Sequence, residues 1–124
     1  MAINTATAKM KKIYYLSSCS TCNRIIKELG DVKGVTMQDI KTDPMTDKQL
    51  KEMKDLSGSY ESLFSRRAMK YRSMGLNEMD LKEEDYRKYI FEEYTFLKRP
   101  VMIFGKEIFV GNSKKVVEAA KASL

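Results

Sequence analysis

The chain has 124 residues, 43% hydrophobic and 32% charged, a composition that suits one hydrophobic core and excludes a disordered or fibrous chain. No apolar run approaches the ~20 residues of a membrane-spanning helix, and the absence of histidine removes imidazole as a base or metal ligand. The net charge is +6, with the basic residues spread along the predicted helices rather than massed in one run, which predicts a solvated basic surface, open to an acidic or anionic partner but with no direct nucleic-acid binding.

Residues 1–9 are small and polar and lack the apolar stretch of a secretory signal. Residues 1–10 therefore read as a disordered extension, and residues 11–124 as one folded domain. Residues 13–16, Ile-Tyr-Tyr-Leu, form a continuous apolar run that predicts a strand buried on both faces. Ser17-Ser18-Cys19-Ser20-Thr21 follows, rich in helix-capping types; Cys22, Ile25, Ile26 and Leu29 then recur at helical spacing up to Gly30. A second strand is expected over residues 35–40, which completes a βαβ unit.

The middle of the chain reads as helical. Thr46 with Gln49 predicts a capping box for a helix ending at Gly58. Residues 59–74 are less regularly spaced, and Asp80 with Glu83 predicts a further cap before Tyr86, Tyr89, Ile90 and Tyr94. After Pro100 the period changes. Residues 101–104 and 107–110 are rich in β-formers and joined by Gly105-Lys106, a hairpin signal, and Gly111-Asn112-Ser113 caps a last helix.

Cys19-Ser20-Thr21-Cys22 lies where the first strand turns into a helix. Unpaired backbone N–H groups and the helix dipole favour an anion there, so a thiolate at Cys19 is favoured. Cys22 falls one turn further in, close enough to attack a sulfur bonded to Cys19. Two plainer readings compete. A structural zinc site needs four ligands, which two cysteines without histidine do not supply. Two inert core cysteines remain open, since a free cysteine packs as a small hydrophobe.

From residue 13 to about residue 120 the chain resembles the glutaredoxin-coupled arsenate reductase family and its Spx-type regulator branch. The matching segments are Tyr15-Leu16-Ser17-Ser18-Cys19-Ser20-Thr21-Cys22, Asp39-Ile40-Lys41, Ser65-Arg66-Arg67, Leu97-Lys98-Arg99-Pro100-Val101 and Val110-Gly111. The resemblance implies an α/β thioredoxin-like fold: a small mixed sheet, made of the βαβ unit and the C-terminal hairpin, with an inserted helical segment. It implies that Cys19 is the redox thiol, that Arg99 holds an oxyanion or stabilises the thiolate, and that Pro100 is cis and faces the cysteine loop. No metal or other cofactor is implied.

The sequence departs from the reductases at three places. They pair one cysteine with a serine three residues on, where this chain has Cys22. They take an anion-binding arginine from the middle segment, where Ser65 stands and Arg66 and Arg67 are its substitutes. They take another after the hairpin, where this chain has Gly111-Asn112-Ser113.

Two functions follow from the resemblance. One is a cytoplasmic enzyme, a thiol–disulfide oxidoreductase or a reductase of a small oxyanion-like substrate, with Cys19 attacking, Arg99 neutralising charge, Cys22 resolving, and glutathione, glutaredoxin or another cellular thiol as reductant. The other is a redox-sensing regulator that binds RNA polymerase, with the Cys19–Cys22 disulfide as its switch.

Overall fold

The computed structural model describes residues 10–30 and 32–124. The expected N-terminal extension lies, apart from Met10, outside the described residues. By its contacts the chain divides into two compact units. One holds the described residues up to Asp43 together with Arg99–Leu124; the other is Pro44–Lys98.

The first unit is built on a four-stranded sheet in the order β2-β1-β3-β4. Strand β1 (Lys11–Tyr15) pairs in parallel with β2 (Thr36–Asp39), the two joined by helix α1 (Ser20–Leu29). This is the expected βαβ unit. Strand β3 (Val101–Phe104) lies antiparallel to β1 and to β4 (Glu107–Val110), so the sheet is mixed as expected. The hairpin strands fall where the sequence predicts, and Gly105 takes the positive φ of 68° that a glycine supplies at the first position of a two-residue turn. Strand β1 starts two residues earlier than the apolar run and ends one earlier. Its Lys11 and Lys12 pair with Phe104 and Ile103, while the carbonyl of Leu16 turns to accept the N–H of Cys19 at 2.9 Å.

Register decides which side chains share a face. Ile13 stands opposite Met102, so both lie on one face with Phe104, two residues on. These three form a buried cluster with Leu29 of α1 and Ala120 of the last helix, α5 (Lys114–Ser123). Ser113 caps α5, its hydroxyl accepting the N–H of Val116 at 3.2 Å. Burying each of the four large side chains, Ile13, Leu29, Met102 and Phe104, contributes roughly 1.5–3 kcal/mol relative to exposure.

The second unit begins with α2 (Asp47–Ser57). Both halves of the predicted capping box are formed: the Gln49 N–H donates to Thr46 Oγ1 and the Thr46 N–H to Gln49 Oε1, each at 3.0 Å. Gly58 ends the helix with φ 103°. Residues 59–74 are broken into a 3-10 turn (Glu61–Leu63) and the short α3 (Met69–Ser73). Between them Phe64 is extended and bridges antiparallel to Leu97, and the Lys98 N–H reaches the Leu63 carbonyl at 2.8 Å.

The next helix, α4 (Glu83–Glu92), starts later than the Asp80 signal suggests. Its N-cap is Lys82, whose N–H is accepted by Asp85 at 2.9 Å. Asp80 pairs with the Lys82 ammonium instead, and the Glu83 carboxylate accepts the N–H groups of Tyr60 and Glu61 at 2.7 and 3.1 Å. The distant amides that Glu83 serves, together with a local ion pair at Asp80, override the expected cap. No helix among the described residues is long and apolar enough to cross a membrane.

Candidate active site

The cysteine loop is a tight turn between β1 and α1. Cys19 closes it by donating its N–H to Leu16, and its own carbonyl accepts the first helical bond from the Asn23 N–H at 3.1 Å. Cys19 is thus the N-cap of α1, with extended dihedrals of φ −91° and ψ 113°. Its carbonyl is spent on the helix while its side chain stands at the end where N–H groups are unpaired. Cys19 is partly exposed and Cys22, one turn in, is buried; both are free thiols.

Burial and charge move the two thiols apart. Partial burial opposes ionisation of Cys19, but the Cys22 N–H, the Cys22 thiol, the Thr21 N–H and the positive charge of Arg99 together hold it below its ordinary value. The neutral thiol makes no capping bond; it is the thiolate that these donors favour. Cys22 goes the other way. Burial, reinforced by the neighbouring Cys19, pushes it up to about 11, against smaller opposing effects of the Leu16 backbone and Arg99. The two sulfurs are one coupled system with the first proton leaving from Cys19.

Arg99 adds an unspent donor set. Among the described residues its Nε and Nη1 are buried without a hydrogen-bond partner. Buried donors are rarely left unpaired, and such a guanidinium is open to an incoming anion. The Arg99–Pro100 peptide is cis, as the resemblance implied. The Pro100 carbonyl accepts the Gly111 N–H at 2.9 Å, carrying the hairpin ladder one pair past Val101 and Val110.

The structure therefore brings Cys19, Cys22 and Arg99 within electrostatic reach of one another, with Pro100 beside Arg99. Arg66 and Arg67 belong to the other unit. Arg66 is engaged there: its Nη2 donates to the Glu61 carboxylate at 2.7 Å and to the Tyr86 hydroxyl at 3.0 Å. Arg67 is exposed.

Two further residues, Asp39 and Asn23, hold the loop at Ser17, and no role for them is read from the sequence. Asp39, the last residue of β2, accepts the hydroxyl and the N–H of Ser17 and the Lys41 N–H. Asn23 donates its side-chain amide to the Ser17 carbonyl at 2.9 Å. No sequence signal marks them, because it is the parallel register that sets Asp39 opposite Tyr15, two residues before Ser17.

One consequence is measurable. Alkylation of Cys19 in the Cys22→Ser chain is expected to reach half its limiting rate below the ~8.5 of a free thiol. Cys22 in the native chain reacts only at far higher pH. A Cys19 that titrates at or above ~8.5 contradicts this assignment.

Known structures share this architecture. The chain is similar to an ArsC-family-related protein from Bacteroides fragilis, with 23% identity, a TM-score of 0.75, and 91% of this chain and 98% of that one covered. It is similar to an arsenate reductase from Vibrio cholerae, with 16% identity, a TM-score of 0.70, and 94% and 98% covered. An arsenate reductase related protein from Brucella melitensis gives 20% identity, a TM-score of 0.69, and 89% and 92% covered. At these identities the likeness carries the thioredoxin-like fold alone. No curated protein sequence matches the chain. The ArsC family profile matches residues 14–120, which include the cysteine loop, the insert and the cis-proline hairpin, and the chain belongs to the ArsC family.

Proposed function

We propose that this protein is an arsenate-reductase-like thiol–disulfide oxidoreductase of the cytoplasm that works through Cys19 and Cys22. The observation that carries the reading is the placement of the two thiols, Cys19 partly exposed at the N-cap of α1 and Cys22 buried one turn in, which favours the thiolate at the first and opposes it at the second. The Cys19 thiolate attacks one sulfur of a substrate disulfide, forming a mixed disulfide and releasing the other sulfur as a thiolate. Cys22 then loses its proton to solvent or to the released thiolate and attacks the Cys19 sulfur. The second substrate thiolate leaves and the Cys19–Cys22 disulfide forms. The substrate gains two electrons and the pair loses two, later restored by a cellular thiol. The negative charge on Cys19 that raises Cys22 disappears once Cys19 is bonded to sulfur, so Cys22 becomes more acidic at the step where it must attack.

Charge favours an anionic reductant such as glutathione or an acidic glutaredoxin. Pro44–Lys98 carries equal numbers of basic and acidic residues, so the whole net charge of +6 falls on the cysteine-bearing remainder of the chain. Reduction of the disulfide by anionic glutathione is expected to slow severalfold as salt rises from 0.01 to 1 M, while uncharged 2-mercaptoethanol is unaffected; the Debye length shrinks from about 30 to about 3 Å over that range. Equal salt dependence for the two thiols would remove the charge argument.

Arsenate itself is expected to be a poor substrate. Each missing charge-assisted contact costs about 1.5–3 kcal/mol, on the order of tenfold to a hundredfold in affinity. Arg99 is in place and Arg66 is engaged with Glu61 and Tyr86, while no arginine follows the hairpin. The deciding experiment compares arsenate turnover, coupled to glutathione and glutaredoxin, with a redox titration of the thiol pair. A reversible disulfide with weak or absent arsenate turnover is expected. Robust arsenate turnover lost in Cys19→Ser overturns the substrate statement, and failure to form the disulfide under mild oxidation overturns the redox reading.

The same two features, a second cysteine and no arginine after the hairpin, favour a second reading as an Spx-like redox-sensing regulator. Its partner is then RNA polymerase, and redox-dependent co-purification with the polymerase separates the two.

A further inference from the structure

We propose that Asp39 is a positioning residue for the reactive thiol, acting through Ser17 and seconded by Asn23. The proposal rests on the reading of Cys19 as the attacking thiol. Ser17 is the first central residue of the turn that runs from Leu16 to Cys19, and three of its polar groups are held. Its N–H and hydroxyl donate to the Asp39 carboxylate, from the neighbouring strand, and its carbonyl accepts from Asn23, in the first turn of α1. The Lys41 N–H, at 3.2 Å, holds the same carboxylate from behind. The turn is therefore pinned to the end of β2 on one side and to the start of α1 on the other.

The consequence falls on Cys19 because the turn sets where its sulfur stands. The donors that favour its thiolate, the N–H groups of Thr21 and Cys22, act over hydrogen-bond distances that weaken steeply with misalignment. A turn free to rotate lets the sulfur leave those amides for water. Each bond of the lock is exposed to solvent, so one alone would be weak; several converging on one residue leave few alternative geometries.

Asp39 allows a test by sign. As a bare negative charge near a thiolate it would raise the Cys19 pKa, so removing it would make Cys19 more acidic. As a lock, removing it makes Cys19 less acidic. Ser17→Ala breaks the lock while leaving the carboxylate in place, so charge cannot account for its effect.

The experiment measures iodoacetamide alkylation of Cys19 against pH, by mass spectrometry, in the full native chain, Asp39→Ala, Ser17→Ala and the double variant. Thermal unfolding confirms that each is folded. The expected result is a rise in Cys19 pKa of about half to one unit in each single variant, with a threefold to tenfold slower reaction at pH 7. The double variant is no worse than either single one, because both cut the same connection. Unchanged titration in Ser17→Ala, or a more acidic Cys19 in Asp39→Ala, overturns the proposal. Should Asp39→Ala not fold, Ser17→Ala and Asn23→Ala decide it by the same reading. A native Cys19 that already titrates as a free thiol instead overturns the proposed function, a result distinct from failure of the lock.

Discussion

Replacing Cys19 by serine is expected to lower the thiol–disulfide exchange rate on the order of 10^4-fold or more, the scale of loss seen when a nucleophile is removed. A hydroxyl neither ionises under the influence of two amides and a guanidinium nor forms a disulfide with Cys22. Cys22 cannot take over, because burial holds its thiol near 11 and no part of it is accessible to a bulky partner. Cys22→Ser is expected to behave differently. The first half of the exchange survives, since the amides of Thr21 and Cys22 and the Arg99 charge remain, and the product stops at a mixed disulfide on Cys19. Incubation with oxidised glutathione, followed by intact-mass measurement, reads all three states. Native chain ends as the internal disulfide, Cys22→Ser as a one-to-one glutathione adduct, and Cys19→Ser as unmodified protein. Efficient glutathionylation of Cys19→Ser would reverse the assignment of attacking and resolving thiols.

The largest expected effect on stability comes from Phe64→Ala. Phe64 is fully buried in the insert, where its ring stacks on Phe96 at 5.1 Å and meets the edges of Tyr86 and Tyr71 at 5.0 and 5.8 Å. Its backbone bridges to Leu97 and is flanked by two hydrogen bonds, Ser65 N–H to Phe96 carbonyl and Lys98 N–H to Leu63 carbonyl, which tie the segment after α2 to the C-terminal end of the unit. Truncating a buried phenylalanine costs about 3–5 kcal/mol, a large part of the 5–15 kcal/mol typical of a folded domain. The Tm is expected to fall by about 10–20 °C. Hydrogen exchange at Ser65 and Lys98 should lose protection first. Phe91→Ala is the control: half of that side chain is exposed, so its effect stays within about 0.5 kcal/mol. A Phe64→Ala chain as stable as Phe91→Ala would show that the aromatic cluster does not hold the insert.

What the sequence by itself determined about this protein is the part governed by neighbours within a few residues. The Thr46–Gln49 box closes across three residues, Gly105-Lys106 joins the hairpin, and Gly30 and Gly58 end their helices with positive φ. The cysteine pair at a strand-to-helix junction was legible for the same reason, since capping chemistry is local. Sequence likeness, not local chemistry, pointed to Arg99 and its cis proline. The tertiary structure decided where local signals had a distant competitor. Asp80 and Glu83 spell a cap, yet Glu83 serves amides more than twenty residues back, leaving Asp80 to a merely local pair with Lys82, so α4 starts at Glu83 instead. Arg66 reads as an anion site beside Ser65 but folds onto Glu61 and Tyr86. The Asp39–Ser17 lock spans 22 residues and exists only because the parallel register brings the end of β2 level with the end of β1. A strand pattern states which face is buried, but not which residue of another strand it meets; that is fixed only when the ladders form.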